Sequence, residues 1–551
     1  MIKRDLDRRE FLKVTGAALG ATMIMGPNAV FAQPQPGAKV DSMKLMTSTA
    51  AMDPVRPEVA RVCSQAFQAI GWDVEPYPID YNQNVQKVIM EHDYDMWFVM
   101  LSGAPIRIDP DVFIYQVNHS GEYKKGGYNW EGFSDPEVDR LALAQRREMN
   151  LEKRREIVFK AQELIHAAQP LCALAYMQMT NAYRSDRIKN LTPMLGDGIG
   201  SFWTDLSMEV VEGDGYVRTA RPQEVKNWNP VAIKDHLEFM EVRMIYDRLF
   251  RIDSEGKAIP WMAKSYSIPE PKTIDITIRD GMLWHDGKPV TIDDIKFSFD
   301  YQIKWKAPFF YSTLERIESV DITGKDSIQI KLKEPFAPFL TNLLGGMFMI
   351  PKHIWQDIPE KVGLDDPLKY PNDKPIGSGP FKLDYWDQGR EYKATAFKEH
   401  FSAPKCAGII GIVYGSHDAI AAAIEKGECD RTRYILKPSL LMDLQKVKNV
   451  VAKGYPNHGF YTLTYHTRRP PLTDPVFRQA LDLVIPKDLI IEAILSGLAD
   501  RGGSVIAPAN KFWHNSAVKA APTDVNKAKK LLADAGYTWD KQNKLHYPKK
   551  G

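Results

Sequence analysis

The chain has 551 residues, a formal net charge of +2, 44% hydrophobic residues and 26% charged residues. That composition excludes disordered and fibrous chains, and the balanced charge leaves no electrostatic footprint for nucleic acid or an anionic membrane surface. The length suits several domain-sized units with large cores.

The N-terminus reads as an address. Asp7-Arg8-Arg9-Glu10-Phe11-Leu12-Lys13 is similar to the twin-arginine export motif, with Asp7 where Ser or Thr is usual. Val14–Met25 is an apolar, Gly/Ala-rich run, too short for an ordinary spanning helix. Val30-Phe31-Ala32 puts small residues at the two positions a signal peptidase reads. Residues 1–32 are therefore expected to be a cleaved signal peptide, an uncleaved anchor being the competing reading. Cleavage leaves 67 Lys/Arg and 67 Asp/Glu, a near-neutral mature chain. No Cys lies near the cleavage point, and no later run reaches about 18 apolar residues. A soluble, exported, periplasmic protein follows.

Beyond a Pro/Gly-rich spacer at Gln33–Lys39, Met43–Thr49 is a strand candidate. Arg56–Ile70 has helical periodicity, with Val59, Val62, Cys63, Phe67 and Ile70 on one face, and Gly71 ends it. Trp72–Ile79 alternates like a strand, Tyr81–Met90 reads as a helix, and Asp95–Leu101 as a buried strand. This rhythm predicts an α/β lobe with a mixed sheet. One long helix is expected over Asp135–Ala168. Later, Thr273–Arg279 and Ser327–Leu332 look like antiparallel strands. Between them, Gly281–Asp300 (GMLWHDGKPVTIDDIKFSFD) holds a tight turn at Asp286-Gly287, then Thr291 three residues before Asp294, a pattern related to the capping box.

There are four cysteines. Cys406 precedes a strand-like run, Gly408–Tyr414, and Cys429 follows a helix-like run, Asp418–Lys426. A strand up and a helix back would return Cys429 near Cys406, so a Cys406–Cys429 disulfide is expected in an exported protein. Cys63 and Cys172 are expected buried and free. No Cys/His cluster has zinc spacing, and nothing calls for a cofactor.

The Gly281–Asp300 run resembles the "hDGtplTAeDVvfS" segment of family 5 extracytoplasmic solute-binding proteins, the dipeptide-, oligopeptide- and nickel-binding class of ABC importers. Further segments resemble the same family: Trp228-Asn229-Pro230, Ile245–Phe250, Ile259–Tyr266, Gly377–Leu383 (GSGPFKL), Ala421–Asp430 (AAAIEKGECD), Pro471–Ala480 and Val525–Tyr537 (VNKAKKLLADAGY). Segments that lie near the family's C-terminus stand here at the front: Ala66–Trp72, Tyr94-Asp95-Met96, Asp109-Pro110, Asn129 and Phe133–Asp139. The resemblance covers nearly the whole mature chain in rotated order.

It implies a periplasmic-binding-protein-like two-lobed α/β clamp of the class with an extra domain in lobe one, circularly permuted. A second, partial copy at the front is the competing reading, but no segment is duplicated. Lobe two would comprise 39–180 and 465–551, and lobe one 181–464, with 252–366 as the extra family domain. The implied function is the substrate-binding component of an ABC importer. It would hold a small organic solute (peptide-like, opine-like or sugar-derived) between the lobes and deliver it, as a monomer, to a permease and ATPase complex.

Peptide-binding members carry an Asp in the loop after the "fDm" strand that pairs with the peptide amine. Here Leu101–Ile108 has no carboxylate, and its one charge is Arg107, which could pair bidentately with a carboxylate or phosphate, or else sit solvated or pair with Asp109. Lys234, His236 and Glu238 occupy the segment that contacts ligand backbone in oligopeptide binders, with a polar helix face as the alternative. Trp386, Trp130 and Trp513 are cleft or core aromatics, and Asn129 is expected to fix loop geometry. The chain has no HExxH, no GxSxG and no glycine-rich phosphate loop. An enzyme is therefore not expected; a receptor or chaperone subunit, or less readily a hydrolase, is the alternative.

Overall fold

In the computed structural model, residues 34–549 are described, apart from 51, 54, 105, 106, 235, 362, 364 and 365. The expected signal peptide lies outside the described residues. The front of the chain gives β1 (Met43–Ser48), α1 (Val55–Gln68), β2 (Val74–Ile79), β3 (Met96–Leu101), α2 (Pro136–Arg147), α3 (Leu151–Ala168) and β4 (Leu171–Arg184). Next come β5 (Tyr216–Arg221), α4 (His236–Ile245), β6 (Ala263–Glu270), β7 (Thr273–Ile278), α5 (Ile292–Lys304), β8 (Ile317–Gly324) and β9 (Ser327–Leu332). The remainder contains β10 (Phe381–Asp387), β11 (Glu391–Ala396), β12 (Gly408–Val413), α6 (His417–Lys426), β13 (Arg431–Thr432), β14 (Val450–Tyr465), α7 (Pro475–Val484), β15 (Ala499–Arg501) and α8 (Val525–Asp534).

Local chemistry sets many of these boundaries. Gly71 takes φ +81 after α1, a conformation only Gly adopts cheaply. Thr291 and Asp294 form the reciprocal capping box that opens α5. The single helix expected over Asp135–Ala168 is two. Asp135 caps α2 with Pro136 at its first turn, and Asn150 caps α3 through Lys153 N. An Asn that can accept from its own helix start competes with helix continuation. Tyr81–Met90 is one α-helical turn, Tyr81–Val85, running into a π-helix at Gln86–Glu91.

One 11-stranded mixed sheet runs through the molecule in the order β10-β11-β12-β5-β13-β4-β14-β3-β1-β2, with β15 paired to β4. β4 and β14 are its longest strands, 14 and 16 residues, and they pair antiparallel from Val450↔Arg184 to Thr464↔Leu171. Their outer ends belong to different lobes: Phe460–Tyr465 pairs with β3, while Tyr183 pairs with β13. The register breaks between Pro456 and Phe460. The two lobes are thus joined by a two-stranded ribbon with a bulge at its middle, and bulges bend the strand that carries them.

Lobe two packs α1, α7 and α8 on one face of the sheet, in a cluster holding Trp72, Phe477 and Leu532. Its other face holds Trp97, Phe113 and Ile165. Lobe one has a large core that continues into the antiparallel sheet β6-β7-β9-β8 and α5. Residues 37–40 run beside 545–548, with Tyr547 N donating to Ala38 O at 2.9 Å and Gly37 N to Pro548 O at 3.2 Å.

All four cysteines are free and buried, so the expected Cys406–Cys429 disulfide is absent. Cys406 packs into the main lobe-one core, whereas Cys429 belongs to the separate cluster beneath α6. The strand-and-helix return brings the chain back, but to a different hydrophobic cluster.

Candidate functional site

Three irregular segments converge where the lobes meet. They are the loop after β3, the bulge Asn457-His458-Gly459 of β14, and the turn Met194–Gly198. A Cβ on Gly103 would collide with the Asn457 side chain and the Gly459 backbone, and one on Gly196 with the Gly103 carbonyl. Only glycine permits this approach of backbones. Gly196 N donates to Pro456 O at 3.3 Å, and the Nε2 of buried His458 lies 3.0 Å from Ala104 O. Burial pushes the His458 imidazole down to about 4, so the ring is neutral at neutral pH. Ile108 of lobe two packs with Met194, Leu195 and Ile252 of lobe one.

Asp197 is the fixed charge of this junction. It is fully buried, 2.6 Å from Arg243 Nη1 and 3.2 Å from His236 Nε2. Burial alone would raise its carboxyl, but the Arg243 guanidinium and His236 overcome that and hold it well below the usual carboxylate range. On α4 itself, Glu241 is paired with Arg221 and Arg433 and accepts from Tyr392 and Tyr434 at 2.5 and 2.9 Å. This fully buried network makes the wall of lobe one rigid.

The sequence candidates separate into two groups. Arg107 and His236 are at the junction. Asp109 is held by Arg154 at 3.0 and 2.5 Å, which excludes it as the partner of Arg107. The half-buried Arg107 side chain makes no hydrogen bond among the described residues, though its charge reaches His458. His236 is bound to Asp197. Glu238 is buried and accepts from Lys234 N at 3.0 Å, while the Lys234 side chain is exposed. Glu238 also lines a small cleft with Arg221, Gln223 and Lys226.

The other candidates are elsewhere. Asn129 is buried and donates to His119 O and Phe133 O at 3.0 and 2.8 Å within its loop. Trp130 packs on Trp97 at 4.9 Å inside lobe two. Trp513 is buried there too, with Arg154 5.0 Å from its ring. Trp386 lies on β10, the outermost strand of lobe one, edge-on to Trp228 at 6.4 Å. Trp130 and Trp513 belong to one lobe-two cluster and Trp386 packs against the lobe-one core, so the three do not form one aromatic wall.

Sequence reasoning missed Asp197, Arg243, Arg248 and His458. A signal existed. Arg243, Arg248 and Arg251, together with Glu241 and Asp247, interrupt the apolar run from Phe239 to Ile252, and charges on a buried face need partners.

The architecture defines a two-lobed α/β clamp with an appended antiparallel domain. The chain belongs to the bacterial extracellular solute-binding proteins, family 5: the model of that family's middle region matches residues 257–550. It is similar to the dipeptide-binding protein of Escherichia coli (strain K12), 28% identical over 315 residues, 53% of this chain and 58% of that protein. It is also similar to the glutathione-binding protein GsiB of Shigella flexneri serotype 5b (strain 8401), 24% identical over 317 residues, 56% of this chain and 59% of that one. The chain therefore spans under two thirds of the length of these relatives. Among solved structures, the periplasmic oligopeptide-binding protein of an oligopeptide ABC transporter from Thermotoga maritima superposes with a TM-score of 0.50 at 21% identity, over 60% of this chain and 64% of that chain. That likeness concerns the fold. No helix among the described residues is long and apolar enough to cross a membrane.

Proposed function

We propose that this protein is the substrate-binding component of an ABC importer. It is exported through the twin-arginine route, is soluble in the periplasm, and acts as a monomer. It captures a small organic solute between its lobes and hands it, unmodified, to a permease and ATPase complex. The observation that carries this reading is the ribbon of β4 and β14 with its bulge at 457–459. A hinge needs few connections and a local irregularity to absorb the dihedral change, and this is where Arg107, His236 and His458 gather. Solute binding then shifts an open–closed equilibrium by the contacts made only in the closed form. The loop at 101–108 lacks an amine-pairing carboxylate, which favours a solute without a free-amine anchor at that position.

The rotated motif order is, in this reading, a circular permutation. The pairing of residues 37–40 with 545–548 supports it, because a permuted chain keeps the old contiguous segment side by side.

The test is to recover the protein from the periplasm, denature it, identify what is released, and titrate that compound into ligand-stripped protein. One unmodified small molecule rebinding at one-to-one stoichiometry supports the proposal. Conversion of the compound contradicts it in favour of an enzyme, and absence of any small-molecule binding contradicts it in favour of a partner-binding receptor or chaperone.

A further inference from the structure

Beside the lobe junction lies a small, partly open cavity of about 20 Å³. Phe239, Arg243, Arg248, Met194, Ile252 and Gly345 line it. Two of these, Met194 and Ile252, share an apolar cluster with Ile108 of lobe two, so the cavity adjoins the junction where the solute is proposed to sit.

Its charges do not balance. Asp197 serves Arg243 at 2.6 Å, and Asp247 serves Arg251 at 2.8 Å. Arg248 is 6% exposed, yet among the described residues no carboxylate lies within ion-pair reach of it. It donates to Gly345 O at 2.6 Å, while its Nε has no partner. Phe239 and Phe348 flank the guanidinium at 5.1 and 5.8 Å. Burial, then the like charges of Arg251 and Arg243, push its pKa well below the ordinary arginine value, and the more distant carboxylates of Asp247 and Asp197 offset this only in part. A buried cation without a counter-ion is costly, and a guanidinium fork with spare donors is the geometry that takes a carboxylate.

We infer that this cavity receives a carboxylate carried by the solute, with Arg248 as its counter-ion and Phe239 walling the adjacent apolar part. The inference rests on the binding-protein reading and narrows it to acidic solutes. The small space suits one end group, with the rest of the solute lying between the lobes.

The test uses the full mature protein, stripped of ligand, and a panel of N-acyl amino acids, dipeptides and sugar acids. Each is paired with its carboxamide or neutral counterpart and followed by thermal shift and calorimetry. Loss of one partner of a buried charge pair predicts that the acid binds at least about 30-fold more tightly than its amide. Arg248→Gln should erase that difference and leave amide affinity within about threefold, the scale of a neutral contact. If Arg248→Gln fails to fold, the acid–amide comparison on the wild-type protein decides alone. Equal binding of acid and amide by the wild-type protein overturns the inference and leaves the binding-protein reading standing. A wild-type protein that binds no member of the panel counts against both.

Discussion

Asp197 and Arg243 meet at 2.6 Å with both side chains buried, the carboxylate on the Met194–Gly198 turn and the guanidinium on α4. The pair ties the turn that faces the hinge to the helix that walls the cleft. Asp197→Ala leaves Arg243 buried and unpaired, so unfolding by urea should show a loss of about 3–5 kcal/mol. The sign with pH follows from a folded pKa held below the unfolded value. The contribution is present above about pH 4, the unfolded Asp value, and is lost as pH falls through the folded one. The stability gap between wild type and Asp197→Asn should therefore narrow in acid. A constant gap would contradict the ion-pair account.

Gly103 is the point where lobe two's loop touches the bulge of β14. Gly103→Ala should cost about 1–3 kcal/mol by overpacking and should weaken solute binding if the bulge is the proposed hinge. Gly324→Ala is the control: its new methyl meets Ser327 only at an ordinary 3.6 Å, and it should leave both stability and affinity unchanged. Chemical denaturation and calorimetry on the two variants check this.

Glu131 is fully buried, and neither carboxylate oxygen has a hydrogen-bond partner among the described residues. Burial pushes its carboxyl up to about 8. A raised carboxyl makes folding take up a proton between the unfolded value, about 4.3, and about 8, so stability falls as pH rises across that window. Glu131→Gln should raise the thermal midpoint at pH 8 and give no gain at pH 4. A gain independent of pH would show that the side chain acts through packing instead.

The proposed permutation can be reversed. Residues 211–214 form an exposed loop between lobe one's short strand at Glu209–Val210 and β5, while Tyr547 and Ala38 are in hydrogen-bond contact. A chain opened in that loop and rejoined through a short linker across the present ends should fold with an unchanged circular dichroism spectrum and a thermal midpoint within a few degrees, since the core contacts are kept. An insoluble or unfolded product would contradict the reading.

Much of this architecture was legible in residue order, because it rests on local chemistry. Thr291 with Asp294, Gly71 after α1 and the apolar faces of α1 and α3 act over a few residues, and so do the motifs that carry the family resemblance. What could not be read is what depends on long-range packing. The break at Glu148–Asn150 is decided by a cap against a continuing apolar stripe. The missing Cys406–Cys429 bond is decided by which core each thiol enters. The site divided the same way. Arg107 and His236 stood out as charges on segments of known type. Asp197, Arg248 and His458 gain meaning only because residues 194–198, α4 and β14, far apart in sequence, fold together. Trp386 and Trp513 were conspicuous because tryptophan is conspicuous; the fold leaves Trp386 half-buried on an edge strand and Trp513 buried inside lobe two.

The central claim is that two lobes close about the β4–β14 ribbon on a solute. Small-angle scattering of the ligand-stripped protein, before and after addition of the compound released from the periplasmic preparation, tests it most directly. A smaller radius of gyration is expected with the compound present, and loss of that compaction in Arg107→Ala together with Arg248→Gln. Saturating, calorimetrically confirmed binding with no change in the scattering curve would contradict it.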